Sequence, residues 1–392
     1  MQNSQDIVCI SMTTWEGDYM KTIVHMMSQL AKNHRVLFVD YPFTAKDAVM
    51  SVLGKSKAPV KRMLGIRKRL RTLETKHAEV YHLTLPPILP TNWINDAETF
   101  EKIVSSQSWI IERSIKKAMH KLNFVSPIVI NAFNPIIGLP LVGKLNESKL
   151  IYYCYDEIRA AEWCGKHGGL MEDRFIEKAD AVIVTSEELF KSKSAKNSNT
   201  TLVKNGVDFD LFYQAFHTES NVRKVVGYVG SIDFRLDYDL LESVIKSRPN
   251  YDFHFVGRVT DKVGHQRLAS YSNVKFFGAQ QPNAIPDFMQ KFDVGIIPFA
   301  INDFTKSIYP LKINEYLAAG IPVVSTDFAS LVDFYSFISI VTKPEQFGIY
   351  LDKEMDSDTI NKKHRRAAIA EMNDWSERAE QVEAILNTKA NA

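Results

Sequence analysis

Residues 293–327, DVGIIPFAINDFTKSIYPLKINEYLAAGIPVVSTD, place two short apolar runs on either side of a segment with helical spacing. This order predicts a strand from Val294 to Pro298, a polar loop, a helix opening at Pro310, a stop at Gly320 and a second strand from Pro322 to Ser325. Two strands joined through a helix make a βαβ unit, whose strands run parallel. Proline suits the first helical position because its missing N–H would be unpaired there, and glycine suits the left-handed residue that ends a helix. The helix is about three turns long. Lys312 and Glu315, three apart, share one of its faces, while Ile313, Tyr316 and Leu317 fall on the face that packs on a sheet. A cation and a carboxylate therefore sit in the first turn, beside backbone donors that no preceding turn satisfies. Two readings are open: an ordinary surface ion pair on a core helix, or a ligand site, since crevices at the carboxyl ends of parallel strands bind ligands and helix N-termini attract phosphate.

The rest of the chain repeats the alternation. Ile7 to Met12 is a strand, Tyr19 to Lys32 a helix with Ile23, Met26, Met27 and Leu30 at core spacing, and Val36 to Val39 a strand. The loop 13–18 between them, TTWEGD, lies at the carboxyl end of the first strand. Val80 to Leu85 is a strand, Pro86 to Pro90 an extended connector, and Asp96 to Leu122 a long helix. Strands at Ile128–Phe133, Lys149–Tyr155 and Ala181–Thr185 end in polar residues, among them Asn134, Asp156 and Glu157. A second alternating series follows: Val225 to Gly230 ending in Gly230-Ser231, a helix from Tyr238 to Lys246, Phe253 to Gly257 ending in Gly257-Arg258, and Val274 to Gly278. Two doubly wound parallel sheets are the expected architecture, a number of cores that 392 residues with 45% hydrophobic content can bury.

Composition excludes several functions. A net charge of +2 and no nucleic-acid motif give no reason to expect a nucleic-acid partner. Cys9, Cys154 and Cys164 lack metal-ligand spacing, and an odd count points to a reducing compartment. The start MQNSQDIVCISM does not read as a secretory signal, and no run approaches about 18 apolar residues. A cytoplasmic protein is expected, in contact with membrane only from its surface. The uneven charge is at residues 55–76, with nine Lys or Arg against Glu74 alone. There Met63, Ile66, Leu70 and Leu73 recur at spacings of three and four, which predicts a helix with an apolar stripe and basic flanks. Such a helix either lies on an anionic membrane surface or packs its stripe on its own domain.

The segment PLKINEYLAAGIPVVSTD resembles the donor site of GT-B glycosyltransferases of the group 1 class, in the branch with bacterial teichuronic-acid-type enzymes. ADAVIVTSEEL and KNGVDFDLF resemble that family's interdomain boundary, and Trp375 in MNDWSERAEQVEAIL resembles its final helix. The resemblance implies an α/β GT-B fold, two Rossmann-like domains facing a central cleft. It divides the chain into an acceptor domain (1–205), a nucleotide-sugar domain (206–373) and a C-terminal helix crossing back to the first domain (374–392). It implies a transferase that moves a hexose or hexuronic acid from a nucleoside-diphosphate sugar, UDP-linked, to a glycan or lipid-linked acceptor. Glu315 would hold the ribose hydroxyls. The family's second glutamate, eight positions earlier, is Ser307 here.

Such a donor needs close backbone approach, cations and a diol-binding carboxylate. Gly230, Ser231, Arg258, Ser307, Tyr309, Lys312 and Glu315 are the donor-site candidates. Lys312 also stabilises charge on the leaving diphosphate, a catalytic role. Asp156 and Asp18, with Glu157 and Glu16 beside them, are candidates for the base that activates an acceptor hydroxyl. No cofactor and no metal are expected: there is no His/Cys cluster and no Asp-x-Asp pair. Two other readings use the same residues, a silent nucleotide-binding interaction protein and a sugar-nucleotide epimerase.

Overall fold

The computed structural model describes residues 4–17, 21–160, 164–218 and 222–388; Asp18 lies outside them. The described residues up to Lys204, with those from Ala379 onward, form one compact unit, and Asn205–Arg378 form the other.

The first unit is built on an eight-stranded sheet: β1 (Asp6–Ser11), β2 (Arg35–Val39), β3 (Leu70–Glu74), β4 (Glu79–Leu83), β5 (Ile128–Ala132), β6 (Lys149–Cys154), β7 (Ala181–Val184) and β8 (Thr200–Leu202). Their order is β3-β4-β2-β1-β5-β6-β7-β8, parallel throughout except for the antiparallel β3–β4 pair. β5, β6 and β7 are buried along their whole length, as expected of parallel strands covered on both faces. Strand order reverses between β1 and β5. The 26-residue helix Ala97–Leu122 is capped by Asp96, whose carboxylate accepts from Thr99 N at 2.8 Å, and closes on left-handed Asn123. The Thr22–Leu30 helix buries Ile23, Met26, Met27 and Leu30, the residues its spacing selects.

The second unit has six parallel strands, β9 (Val225–Val229), β10 (Asp252–Val256), β11 (Val274–Phe276), β12 (Val294–Ile297), β13 (Val323–Thr326) and β14 (Ser339–Val341), in the order β11-β10-β9-β12-β13-β14. Its reversal lies between β9 and β12. The organising βαβ is present: β12 pairs with β13 in parallel register, Gly295 opposite Val323, around the helix Leu311–Ala318. That helix is eight residues long rather than three turns, because Pro310 is its cap, at ψ 96°, and not its first residue. Gly320 takes φ 70° and ends it.

The expectation for the basic segment fails. Residues 55–76 do not form an amphipathic helix. A four-residue helix, Val60–Met63, stops at Gly65, which takes φ 76°, and the chain then enters β3 as an antiparallel edge strand. Glycine at positive φ ends helices readily, and the ladder with β4 supplies the backbone partners that a longer helix would have supplied. Met63 is buried, while Ile66 is 71% exposed, so no single stripe joins them.

The last helix is Trp375–Asn387, and its residues from Ala379 onward complete the first unit. Glu383 meets His34 Nε2 at 2.7 Å and accepts from Asn33, and the buried Lys149 ammonium donates to the carbonyls of Ile385 and Thr388. A cation on the last carbonyls of a helix is the arrangement its dipole favours.

Candidate functional site

In the second unit, the carboxyl ends of β9 and β10 carry two glycines that let their turns touch. Gly230 N donates to Val256 O, and a Cβ on Gly257 would lie 1.8 Å from Gly230 O. Gly230 and Gly257 take φ of 157° and 153°, which side chains strain to adopt. The loops run on together, Ile232 N donating to Arg258 O at 2.9 Å. Arg258 is therefore held beside the Gly230-Ser231 turn, with its side chain exposed. Gly230-Ser231 does not open a helix directly: a loop leads to the helix Tyr238–Ser247 and carries an Asp233–Arg235 ion pair of 2.7 Å, with the Arg235 guanidinium over the Phe299 ring. Sequence reasoning passed over this pair, which pattern alone does not distinguish from ordinary loop charges.

The helix bearing Lys312 and Glu315 is fixed to the same edge. Val229 N donates to Tyr316 Oη at 2.7 Å, one residue before Gly230, and Gly295 leaves the space that the Tyr316 ring fills. Ile313, Tyr316 and Leu317 are fully buried, so the remaining face is set. On it Lys312 Nζ lies 2.6 Å from Glu315 Oε2; Glu315 is 8% exposed and the lysine side chain about one-third exposed. No side chain caps the first turn. Backbone donors, a cation and a carboxylate thus converge at the β9 edge of the switch point, where an anionic ligand gains most.

Two neighbours are placed differently from these. Ser307 is buried, and its hydroxyl donates to Asp303 O within its own turn, at 3.4 Å. Tyr309 is buried with its ring 5.7 Å from Phe334 and its hydroxyl accepting from Asn314, and burial pushes its phenol up to about 12. Its side chain packs in the core, and its carbonyl accepts from Asn205.

In the first unit, the loop after β1 is tied down from four sides. Trp15 N donates to Asp40 Oδ1, Lys21 Nζ donates to the carbonyls of Thr14 and Glu16, and Glu16 pairs with Arg62 and Arg71 at 2.8 and 2.7 Å. Partial burial raises the Glu16 carboxyl, but Arg71 and then Arg62 outweigh it and hold it below its ordinary value. A carboxylate so held is a weak base. Arg71 Nε also donates to His82 Nδ1, which places the neutral imidazole's proton on Nε2, 2.7 Å from Asp40 Oδ2. The chain Asp40–His82–Arg71–Glu16, buried at its Asp40–His82 end and open at Glu16, escaped the sequence reading; a histidine inside β4 was its one visible sign.

Across the switch point, Phe133 at the end of β5 is buried with φ 56°, a conformation costing a bulky residue about 1–3 kcal/mol. Asn131 and Asn134 hold it in place: Asn131 donates to Asn134 O and accepts from Asn134 N, and Asn134 donates to Ser11 O. Asp156, half-buried after β6, accepts from Cys154 Sγ through its carbonyl. Beneath it is a buried network in which Glu172 accepts from Tyr152 Oη and from Lys193 at 2.8 Å each, and Lys193 reaches Glu157 at 3.2 Å. Burial alone would pull the Lys193 ammonium down; the carboxylates hold it above its ordinary value. Among the described residues, no group of three or more His, Cys, Asp or Glu side chains is placed to hold a metal ion.

Known proteins resemble this chain in part of its sequence and in its fold. Residues 223–337, within the second unit, match the family described as Glycosyl transferases group 1. An alignment 217 residues long, covering 49% of this chain, is 28% identical to a Bacillus subtilis (strain 168) protein assigned by name to teichuronic acid biosynthesis as the glycosyltransferase TuaH. The match spans 54% of that relative, about half its length. Among solved structures, sucrose-phosphate synthase of Thermosynechococcus elongatus aligns with a TM-score of 0.72 at 15% identity, over 97% of this chain and 98% of that one. Anabaena HepE in complex with UDP and glucose aligns at 0.64 and 14% identity, over 98% and 100%. The fold is GT-B, as the sequence resemblance implied.

The buried network under Asp156 yields a prediction. Lys193→Met leaves Glu172 without its cation in a site 0% exposed and should cost about 3–5 kcal/mol of stability, whereas Lys193→Met with Glu172→Leu should recover much of that loss. Urea unfolding followed by circular dichroism measures both. Equal stability of the single variant and the parent would show that the pair holds nothing in place.

Proposed function

We propose that this chain, a GT-B protein whose residues 223–337 match the group 1 glycosyl transferases, transfers a hexose or hexuronic acid from a UDP-linked sugar to a glycan or lipid-linked acceptor in bacterial cell-surface polysaccharide synthesis, on the cytoplasmic face of the plasma membrane. The observation that carries this reading is the Lys312–Glu315 pair on an uncapped helix N-terminus, pinned by Tyr316 next to the touching glycine turns. In this reading the Gly230-Ser231 turn and the first turn of the helix admit the diphosphate, and exposed Arg258 supplies a second cation. Glu315 turns from Lys312 to the ribose hydroxyls. Lys312 then follows the charge that grows on the leaving diphosphate, so its interaction strengthens in the transition state. The UDP bound by HepE and the biosynthetic role in the name of TuaH support the donor class and the setting.

The position of Ser307 bears on the sugar. A donor with its own carboxylate would meet like charge if a glutamate stood there, and the uncharged residue near Lys312 removes that repulsion. Hexuronic acid donors are therefore included in the reading. The decisive experiment incubates the protein with UDP-glucose or UDP-glucuronic acid, with and without membrane-extracted glycan acceptors, and measures free UDP. Acceptor-dependent release supports the transferase. Binding without turnover for every donor and acceptor would make the chain a nucleotide-binding module instead, and acceptor-independent conversion of the sugar would make it an epimerase.

Two substitutions test the assigned roles. Glu315→Ala should weaken UDP binding by about 1–3 kcal/mol, the cost of leaving buried hydroxyls unpaired, and calorimetric titration reads this directly. An unchanged dissociation constant removes Glu315 from the ribose. Lys312→Met should lower kcat at saturating donor by a larger factor than it weakens UDP binding. If only KM moves, the lysine serves ground-state binding and not the leaving group.

A further inference from the structure

The segment that failed to form one long helix makes a different surface. Thr44 and Asp47 close a capping box on the helix Ala45–Val52, none of whose residues is buried. Ser51 Oγ donates to Ala58 O and ties this helix to the one that follows, Val60–Met63. On this helical hairpin Val49, Val52 and Leu53 are 60, 76 and 61% exposed, and Leu64 and Ile66, in the turn around Gly65, are 55 and 71% exposed. Val49, Val52 and Leu53 stand at spacings of three and four and so share one face of their helix. Scattered exposed aliphatics are normal, but five on one hairpin are not scattered.

The charges between them have one sign. Lys46, Lys55, Lys57, Lys61, Arg67 and Lys68 are exposed on the same hairpin and its exit. Residues 44–72 contain one acidic residue, Asp47, and its carboxylate is occupied in the capping box. The arginines that are not exposed have internal tasks: Arg62 and Arg71 hold Glu16, and Arg69 donates to the carbonyls of Arg62 and Met63. These exposed cations are interleaved with aliphatic side chains that water does not favour.

We infer that the hairpin 45–68 docks this protein on an anionic lipid bilayer, with the aliphatic side chains entering the headgroup boundary and the lysines meeting lipid phosphate. Charge complementarity selects a bilayer: every exposed charge on the hairpin is positive, and protruding aliphatics among lysines match a surface that is anionic outside and apolar beneath. The surface differs from the amphipathic helix expected from the sequence; it rests on a hairpin and a glycine turn. Arg62, in the second helix of the hairpin, grips Glu16 in the loop after β1, so the docked surface directly adjoins the loop expected to meet the acceptor. Under the transferase reading, on which this last step rests, the acceptor is lipid-linked and is met at the membrane.

Co-sedimentation of the full chain with vesicles tests the docking without any turnover. The protein should pellet with phosphatidylcholine vesicles that contain phosphatidylglycerol and not with phosphatidylcholine alone, and the binding should collapse as salt shortens the Debye length from about 10 Å at 0.1 M to about 3 Å at 1 M. Since each basic residue near the surface is worth a factor of about five, Lys61→Glu with Lys68→Glu should weaken binding at least tenfold. Leu53→Ser with Ile66→Ser should weaken it with the salt dependence retained. Both double variants should keep the parent's circular dichroism and its UDP affinity. Equal binding to neutral and anionic vesicles, binding unaffected by either pair of substitutions, or concentration-dependent self-association that the same substitutions abolish would each overturn the proposal, the last in favour of a protein partner. Loss of transferase activity with vesicle binding intact would refute the functional reading and leave the docking standing.

Discussion

A single hydrogen bond sets the candidate donor site: the amide of Val229, at the end of β9, donates to the hydroxyl of Tyr316, in the helix after β12. It spans the switch point of the second sheet, tying the end of β9 to the helix that follows β12. Its geometry depends on what is missing. Gly295 has no side chain where the Tyr316 ring lies, and Gly227 has none where the Phe292 ring lies, so helix and strand approach as closely as their backbones allow. Because the tyrosine is fully buried, the helix has no freedom to rotate, and Glu315 and Lys312 face outward because Tyr316 faces inward.

Pairing Lys312 with Glu315 has a cost when a ligand arrives. A buried carboxylate 2.6 Å from an ammonium is already satisfied, and under the proposed function a diphosphate and a diol would have to separate the two groups and replace each partner. An uncharged ligand offers no replacement for the cation, and a bare phosphate none for the carboxylate. The resting pair therefore favours a ligand that brings both functions at once, spaced to meet a lysine and a glutamate one turn apart.

Much of the fold was legible because its determinants are local. Apolar runs with polar ends marked the parallel strands, and Pro310 and Gly320 bracketed the helix that carries Lys312 and Glu315. Tyr309 shows the limit: two residues from Ser307 in the donor loop, it turns into the core because Phe334, distant in sequence, packs against it. The basic segment shows another. Its three-and-four spacing is genuine, yet Gly65 interrupts it and an antiparallel partner, β4, competes for the backbone. The Asp40–His82–Arg71–Glu16 chain was out of reach for the same reason. It exists only because sheet order brings β2, β4 and β3 side by side, and strand order is a property of the assembled sheet that no single segment carries.

The attachment of the last helix to the first unit has a consequence for how the chain is made. Lys149 is buried at the start of β6, and burial pulls its ammonium down. Its partners are the carbonyls of Ile385 and Thr388, and His34 likewise waits for Glu383. During synthesis these partners emerge more than two hundred residues after Lys149. The unit that leaves the ribosome first is therefore the one finished last, and until the final helix arrives an apolar strip and an unpaired cation remain open along its sheet, a surface that an emerging chain must shield from its neighbours.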